Sequence, residues 1–221
     1  MKSKEKNLGK SFFNCPPEDK ALSVVMVLLI VFAPTVFYRS VFYTFYLPQL
    51  TVFWVLGLLV VLILFYKILV TGELYKIPVV LFVALLFFSL GLLLVSILSD
   101  QSWVSFTGLT ARGAGAISYL ICLVIFYSVF QLGQQVRLKF IVNALIFAHV
   151  LVSVYAVLQK LDLDPITWDS GANIVGNQVF SFLGNSNFSA GYLVSTYPLL
   201  VWLALSSSAT TNVRTLAGAC I

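Results

Sequence analysis

Apolar residues run along this chain in six long blocks separated by short polar stretches. The blocks cover roughly 21–37, 51–66, 77–98, 113–130, 138–158 and 188–205. Each is close to the roughly 17–25 residues that a helix needs to cross a hydrocarbon core. None shows the strict alternation of a membrane β-strand. Lipid offers no water to backbone N–H and C=O groups, so such blocks satisfy them internally as helices. The pattern predicts an all-α, polytopic transmembrane helical bundle with six complete spans. Residues 1–20 form a basic tail and 21–221 the bundle. After a polar turn over 206–212, residues 214–221 read as the start of a seventh helix, and the expectation is that the sequence is part of a longer protein. There is no internal repeat.

Composition sharpens this reading. The 221 residues are 60% hydrophobic and 10% charged, with a mean hydropathy of +1.01. Soluble domains carry about 25% charged residues, so an ordinary soluble core is excluded. The net charge of +5 invites a nucleic-acid partner until its distribution is considered. Lys2, Lys4, Lys6, Lys10 and Lys20 precede the first block, where basic residues act as a cytoplasmic anchor and meet anionic lipid headgroups. No helix-turn-helix, zinc or aromatic-interleaved basic motif is present, so no nucleic-acid partner is expected. Cys15, Cys122 and Cys220 are far apart and lack CxxC spacing, implying neither a disulfide framework nor a metal site. The first block is long and has no small-residue cleavage site after it, so it reads as a retained helix.

The remaining charges orient the bundle. With the N-terminus in the cytoplasm, Lys67, Lys76, Arg137, Lys139 and Arg214 join the tail lysines inside, and only Arg39, Arg112 and Lys160 fall outside. That is the bias expected of a membrane protein. Phe37, Tyr38, Phe42, Tyr43, Phe45 and Tyr46 then read as an aromatic belt at the outer interface. The outer segment over about 159–187 carries Asp162, Asp164, Asp169, Asn173, Asn177, Asn185 and Asn187, and connections of that length are disproportionately functional.

Arg112 is the first candidate for chemistry. It lies where both the charge bias and the helix dipole disfavour a cation, which suggests an anionic partner. Small residues flank it, in Gly108-Leu109-Thr110-Ala111-Arg112-Gly113-Ala114-Gly115. Such a sequence lets backbone N–H groups approach phosphate at a helix start, and arginine adds a matching planar fork. The plainer reading has Arg112 snorkelling to the interface or pairing with Asp100. The second candidate is Leu183-Gly184-Asn185-Ser186-Asn187-Phe188-Ser189-Ala190-Gly191-Tyr192. Its plainer reading is a helix cap. Asn187-Phe188-Ser189 also fits a glycosylation sequon, too near a membrane helix for use. His149, the only histidine, falls inside the fifth block. An ionisable residue at that depth faces the bundle interior, most simply bonding a neighbouring helix. Without further ligands, metal binding is not implied.

Two stretches resemble the O-antigen ligase family of bacterial membrane glycosyltransferases. One is Ser99-Asp100, Ser105-Phe106-Thr107-Gly108 and Arg112-Gly113. The other runs from Tyr155-Ala156-Val157-Leu158-Gln159 through Leu163-Asp164-Pro165-Ile166 to Val179-Phe180-Ser181-Phe182-Leu183 and the Gly184–Tyr192 stretch. The family commonly has proline where this chain has Ser186. The resemblance spans roughly residues 95–205. It implies an enzyme of the bacterial inner membrane that takes a glycan from undecaprenyl pyrophosphate at the outer face. The acceptor would be lipid A–core, another glycan or a protein, as in lipopolysaccharide and cell-envelope biosynthesis. It implies no cofactor and about twelve spans, with an essential histidine on a loop beyond Ile221. Residues 1–221 alone are therefore expected to be inactive. The substrate-binding set implied is Arg112, Gly113, Asn185, Asn187 and Tyr192. A polytopic transporter or flippase, or a non-catalytic remnant, are the competing readings. His149 is the one candidate for the midplane chemistry a transporter needs.

Overall fold

The computed structural model of the chain describes residues 16–41, 43–72, 77–109, 113–132, 137–166, 168, 179–206, 214, 215 and 218. Among these there is no strand. The helices are α1 (Pro17–Phe32), α2 (Tyr46–Thr71), α3 (Val79–Leu98), α4 (Ser102–Thr107), α5 (Ala116–Leu132), α6 (Arg137–Lys160) and α7 (Ser186–Leu205), with a 3-10 turn at Ser181–Leu183. Each apolar block corresponds to one long helix, and α4 is a short addition. Four helical stretches are long and apolar enough to cross a membrane: Tyr46–Thr71, Val79–Leu98, Lys139–Lys160 and Ser186–Leu205. Ala116–Leu132 is apolar but shorter. The block expected over 21–37 starts earlier and stops at Phe32, giving 16 residues whose first turn holds Glu18 and Asp19.

The helix limits follow from local chemistry. Pro17 opens α1 where a missing N–H costs nothing, and Glu18 and Asp19 complement the dipole. Pro34 lies just beyond the end of α1, and the Thr35 and Val36 N–H groups both turn back to the Phe32 carbonyl. Hydroxyls inside apolar helices donate to their own backbone: Ser89 Oγ to Leu85 O (2.8 Å) and Ser128 Oγ to Val124 O (2.7 Å). Many large apolar side chains point outward, Val80 on α3 being 83% exposed. In water this would be an aggregation surface; facing lipid it is ordinary.

The chain divides into two compact units, residues 1–29 with 50–141, and residues 30–49 with 142–221. In the first unit, α2 and α5 run parallel in a fixed register. Trp54 Nε1 donates to Ser118 Oγ (2.9 Å), the Cα of Gly57 faces the Ile121 side chain, and Lys67 Nζ donates to Gln131 Oε1 (3.5 Å). The two hydrogen bonds are about thirteen residues apart on each helix, or roughly 20 Å. At the far end Lys67 Nζ also pairs with Asp19 Oδ1 at 2.9 Å, both side chains being largely buried. The start of α1 and the ends of α2 and α5 therefore meet.

In the second unit, α6 and α7 are antiparallel. Ile146 packs on Leu200 and Leu203, while His149 Nδ1 lies 2.7 Å from Thr196 Oγ1. The Thr196 hydroxyl has one hydrogen and carbonyl acceptors at Tyr192 O (3.1 Å) and Leu193 O (3.0 Å). When it donates there, it accepts from an Nδ1–H of His149. The histidine thus bonds a neighbouring helix, as its position in the fifth block predicts.

A Cβ at Gly57 would land on the Ile121 side chain. Gly57→Val is therefore expected to push α2 and α5 apart and to cost about 1–3 kcal/mol. Thermal unfolding in detergent measures this, and Ile121→Ala in the same chain should restore most of the loss. No recovery would mean that this contact does not set the helix spacing.

Candidate functional site

The first motif stretch is built around a groove. Ser99 and Asp100 end α3, α4 follows at once, and Gly108 to Gly115 leads into α5. Gly108 has φ +83° and lies so close to the Ala114 backbone that a Cβ would collide with it; Gly115 in turn abuts the backbone of Phe106 and Thr107. Only glycine allows this backbone-on-backbone crossing. It is tied down further where Ser118 Oγ, which accepts from Trp54, donates to Gly113 O at 2.6 Å. The Gly113 N–H itself goes to Leu109 O (2.8 Å). Beneath the crossing lies a groove of about 940 Å³ between α3, α4 and α5. Phe87, Phe88, Leu92 and Val95 wall it on the α3 side, and Ser99, Asp100, Gln101 and Ser105 form its polar end. Leu109 and Ala114 also line it.

The second motif stretch forms a different structure, all within the second unit. The Asp164 carboxylate accepts four donors. Ile166 N (2.9 Å) reaches Oδ1, Gln159 Nε2 (3.0 Å) and Trp168 Nε1 (3.0 Å) reach Oδ2, and Tyr155 Oη spans both oxygens (3.0 and 3.2 Å). Burial pushes this carboxyl up, but the four hydrogen bonds outweigh it and hold Asp164 below the usual carboxylate range. Gln159 Oε1 meanwhile accepts from Phe180 N (3.1 Å) and Ser181 N (2.7 Å). Around this polar knot the rings pack together: Trp168 tilted on Phe45 (5.1 Å) and edge to face with Phe180 (5.3 Å), and Tyr155 tilted on Phe182 (4.5 Å). Phe37 joins them against Trp168 at 5.7 Å, and Arg39 lies 5.9 Å over the Trp168 ring. Part of the segment expected to be an interfacial belt is thus an internal aromatic stack. Among the described residues of that segment Tyr38 keeps a strongly outward position, at 59% exposed, and Phe42 lies outside the described residues.

The predicted site residues fall in different places. Arg112 lies outside the described residues, between Leu109 and Ala114 in sequence. Gly113 is a buried backbone position with φ +48°. Asn185 caps α7, its Oδ1 accepting from Asn187 N at 2.8 Å, so its side chain is spent on the helix start. The Asn187 side chain is exposed. Among the described residues, the buried Tyr192 hydroxyl has no hydrogen-bond partner, and neither has that of Tyr46. The fold brings Asn185, Asn187 and Tyr192 together at the start of α7, while Gly113 belongs to the first unit. Gln159 and Asp164 lie within the quoted motif stretch, yet no role is legible for them there, because a carboxylate's donors come from four separate positions. Among the described residues, no group of three or more His, Cys, Asp or Glu stands ready for a metal. Compared with known proteins, the chain matches no family model, no curated protein and no solved structure.

Asp164 is depressed in the folded state. Its contribution to stability is therefore complete above the unfolded value of about 3.9 and is lost as pH falls through the lower folded value. Asp164→Asn removes an acceptor from the Gln159 and Trp168 donors and is expected to cost about 1–2 kcal/mol at neutral pH. Thermal unfolding of both proteins across pH 7 to 3 tests this. The gap should close at the acid end, and a constant gap would contradict the role given to the ionised carboxylate.

Proposed function

We propose that this chain is a membrane glycosyltransferase of the O-antigen ligase type, with six spans and its N-terminus in the cytoplasm of a bacterial inner membrane. It handles a glycan carried on undecaprenyl pyrophosphate at the outer face. The observation that carries this reading is the groove of the first unit. Aromatic and aliphatic walls fit an isoprenoid chain, and they end at a polar rim formed by the very residues that resemble the family. The chemistry is a displacement at the anomeric carbon. An acceptor hydroxyl oxygen forms the new glycosidic bond, the bond to the pyrophosphate oxygen breaks, and the pyrophosphate leaves with the electron pair. The hydroxyl proton goes to a base. Arg112 is assigned to the pyrophosphate, where a fixed cation stabilises the charge that develops on the leaving group. Its sequence neighbours Leu109 and Ala114 line the groove, which supports that assignment.

The test is glycan transfer by the full-length protein. Arg112→Ala should lower it about a hundredfold at normal protein yield. Gly91 lines the groove and has nothing within 4 Å of its Cβ position, so Gly91→Trp should fill the groove without disturbing the fold and abolish transfer. Full activity in both variants would sink the proposal. The transporter reading draws on the buried His149–Thr196 pair within α6 and α7; substrate flux into vesicles without a covalent product would favour it.

Tyr192 provides a separate check. A buried hydroxyl without a partner costs about 1–3 kcal/mol, so Tyr192→Phe should leave the unfolding temperature unchanged or raised. If the hydroxyl serves substrate, transfer should nevertheless fall. Lowered stability with unchanged transfer would make Tyr192 purely structural.

A further inference from the structure

We infer that Gln159 and Asp164 are positioning residues: the Gln159 amide ties the Asp164 carboxylate to the Phe180–Ser181 backbone and thereby fixes the turn that starts α7. The consequence for turnover rests on the glycosyltransferase reading; the positioning itself does not.

The geometry is directional. Gln159 uses both ends of its amide, Nε2 toward Asp164 and Oε1 toward two successive N–H groups. Asp164 in turn holds Trp168 and Ile166. Trp168 and Phe180, on either side of residues 169–178 in the sequence, are thus held by one side-chain pair and meet edge to face. Aromatic stacking alone would keep these segments close. Hydrogen bonds of 2.7–3.2 Å to named atoms also fix their orientation.

Ser181 shows what this orientation is for. It has φ +49° without being glycine and is fully buried. Such a conformation costs on the order of 1–3 kcal/mol and persists only where the surroundings impose it. Here α6 imposes it twice, through Gln159 Oε1 on the Ser181 N–H and through Val152 O, which accepts from Ser181 Oγ at 2.7 Å. Ser189 Oγ donates to Phe180 O (2.5 Å) and Gln49 Nε2 to Phe182 O (2.7 Å). Gly184 then turns at φ +71° with its Cα against the Phe45 ring, and Asn185 caps α7. Every link from Gln159 to the residues quoted for the family is specified.

The experiment uses spin labels on full-length protein in nanodiscs, with Cys15, Cys122 and Cys220 changed to serine. One label is placed through Asn187→Cys and a control through Val194→Cys, both side chains being exposed. Gln159→Ala should raise mobility at 187 and leave 194 unchanged. Gln159→Glu should do the same, because it keeps the acceptor but turns a carboxylate toward Asp164. Adding Asp164→Asn to Gln159→Glu restores a donor–acceptor pair and should reverse part of the change. An unchanged 187 label, or equal loosening at 194, overturns the inference. In the transfer assay the Gln159 variants should lose about tenfold or more in kcat with KM unchanged. A loosened turn with undiminished kcat would overturn the consequence for turnover and leave the positioning itself standing. If the unaltered protein transfers no glycan while the label results hold, the glycosyltransferase reading falls and the clamp stands.

Discussion

A backbone that faces hydrocarbon must spend its hydrogen bonds on itself, and most of this structure follows from that constraint. It makes each apolar block a helix and sends the Ser89 and Ser128 hydroxyls back to carbonyls one turn earlier. It also explains why His149 and Thr196 find each other: a polar side chain at that depth is expensive unless a neighbouring helix completes its bonding. The outward surface is left apolar, with α3 as the extreme case. Specific contacts between helices then come from small residues and a few polar pairs. The common register of Trp54–Ser118, Gly57–Ile121 and Lys67–Gln131 is an example of both.

Among the described residues charge sits at helix ends and in the connections, and two carboxylates there are satisfied in unlike ways. Lys67 and Asp19 neutralise each other directly where three helix ends meet. Removing one partner of such a pair costs more than the pair contributes, because the other charge is left buried. Among the described residues Asp164 has no cation as a bonded partner. Its charge is spread over a backbone N–H, an amide, an indole and a phenol. The second arrangement fixes more atoms, since the donors come from both the end of α6 and the segment that follows it. A carboxylate of this kind acts as an organiser of the loop.

The two motif stretches serve unlike ends. Around Gly108 and Gly115 the absence of side chains lets two backbone segments touch, and a groove opens beneath them. Around Gln159 and Asp164 a dense set of side chains determines one backbone path. The first creates space for a ligand, and the second limits how the start of α7 can move.

The sequence by itself determined which segments form the long helices, because apolar length is a local property, while the limits of α1 at Pro17 and Phe32 fell outside that reading. The block over 77–98 became Val79–Leu98, and that over 188–205 became Ser186–Leu205 with Asn185 as its cap. It also marked the segments worth inspecting, since Ser99–Gly113 and Tyr155–Tyr192 hold the groove rim and the clamp. What it left open was partnership. Phe37 and Phe45 look like belt residues until Trp168 and Phe180 are seen against them. Gly57 is legible only once Ile121 is opposite, and Asp164 only once donors from positions 155 to 168 converge. Such pairings carry no local periodicity. They exist because the folded chain brings separate segments together, and that was decided by the tertiary structure alone.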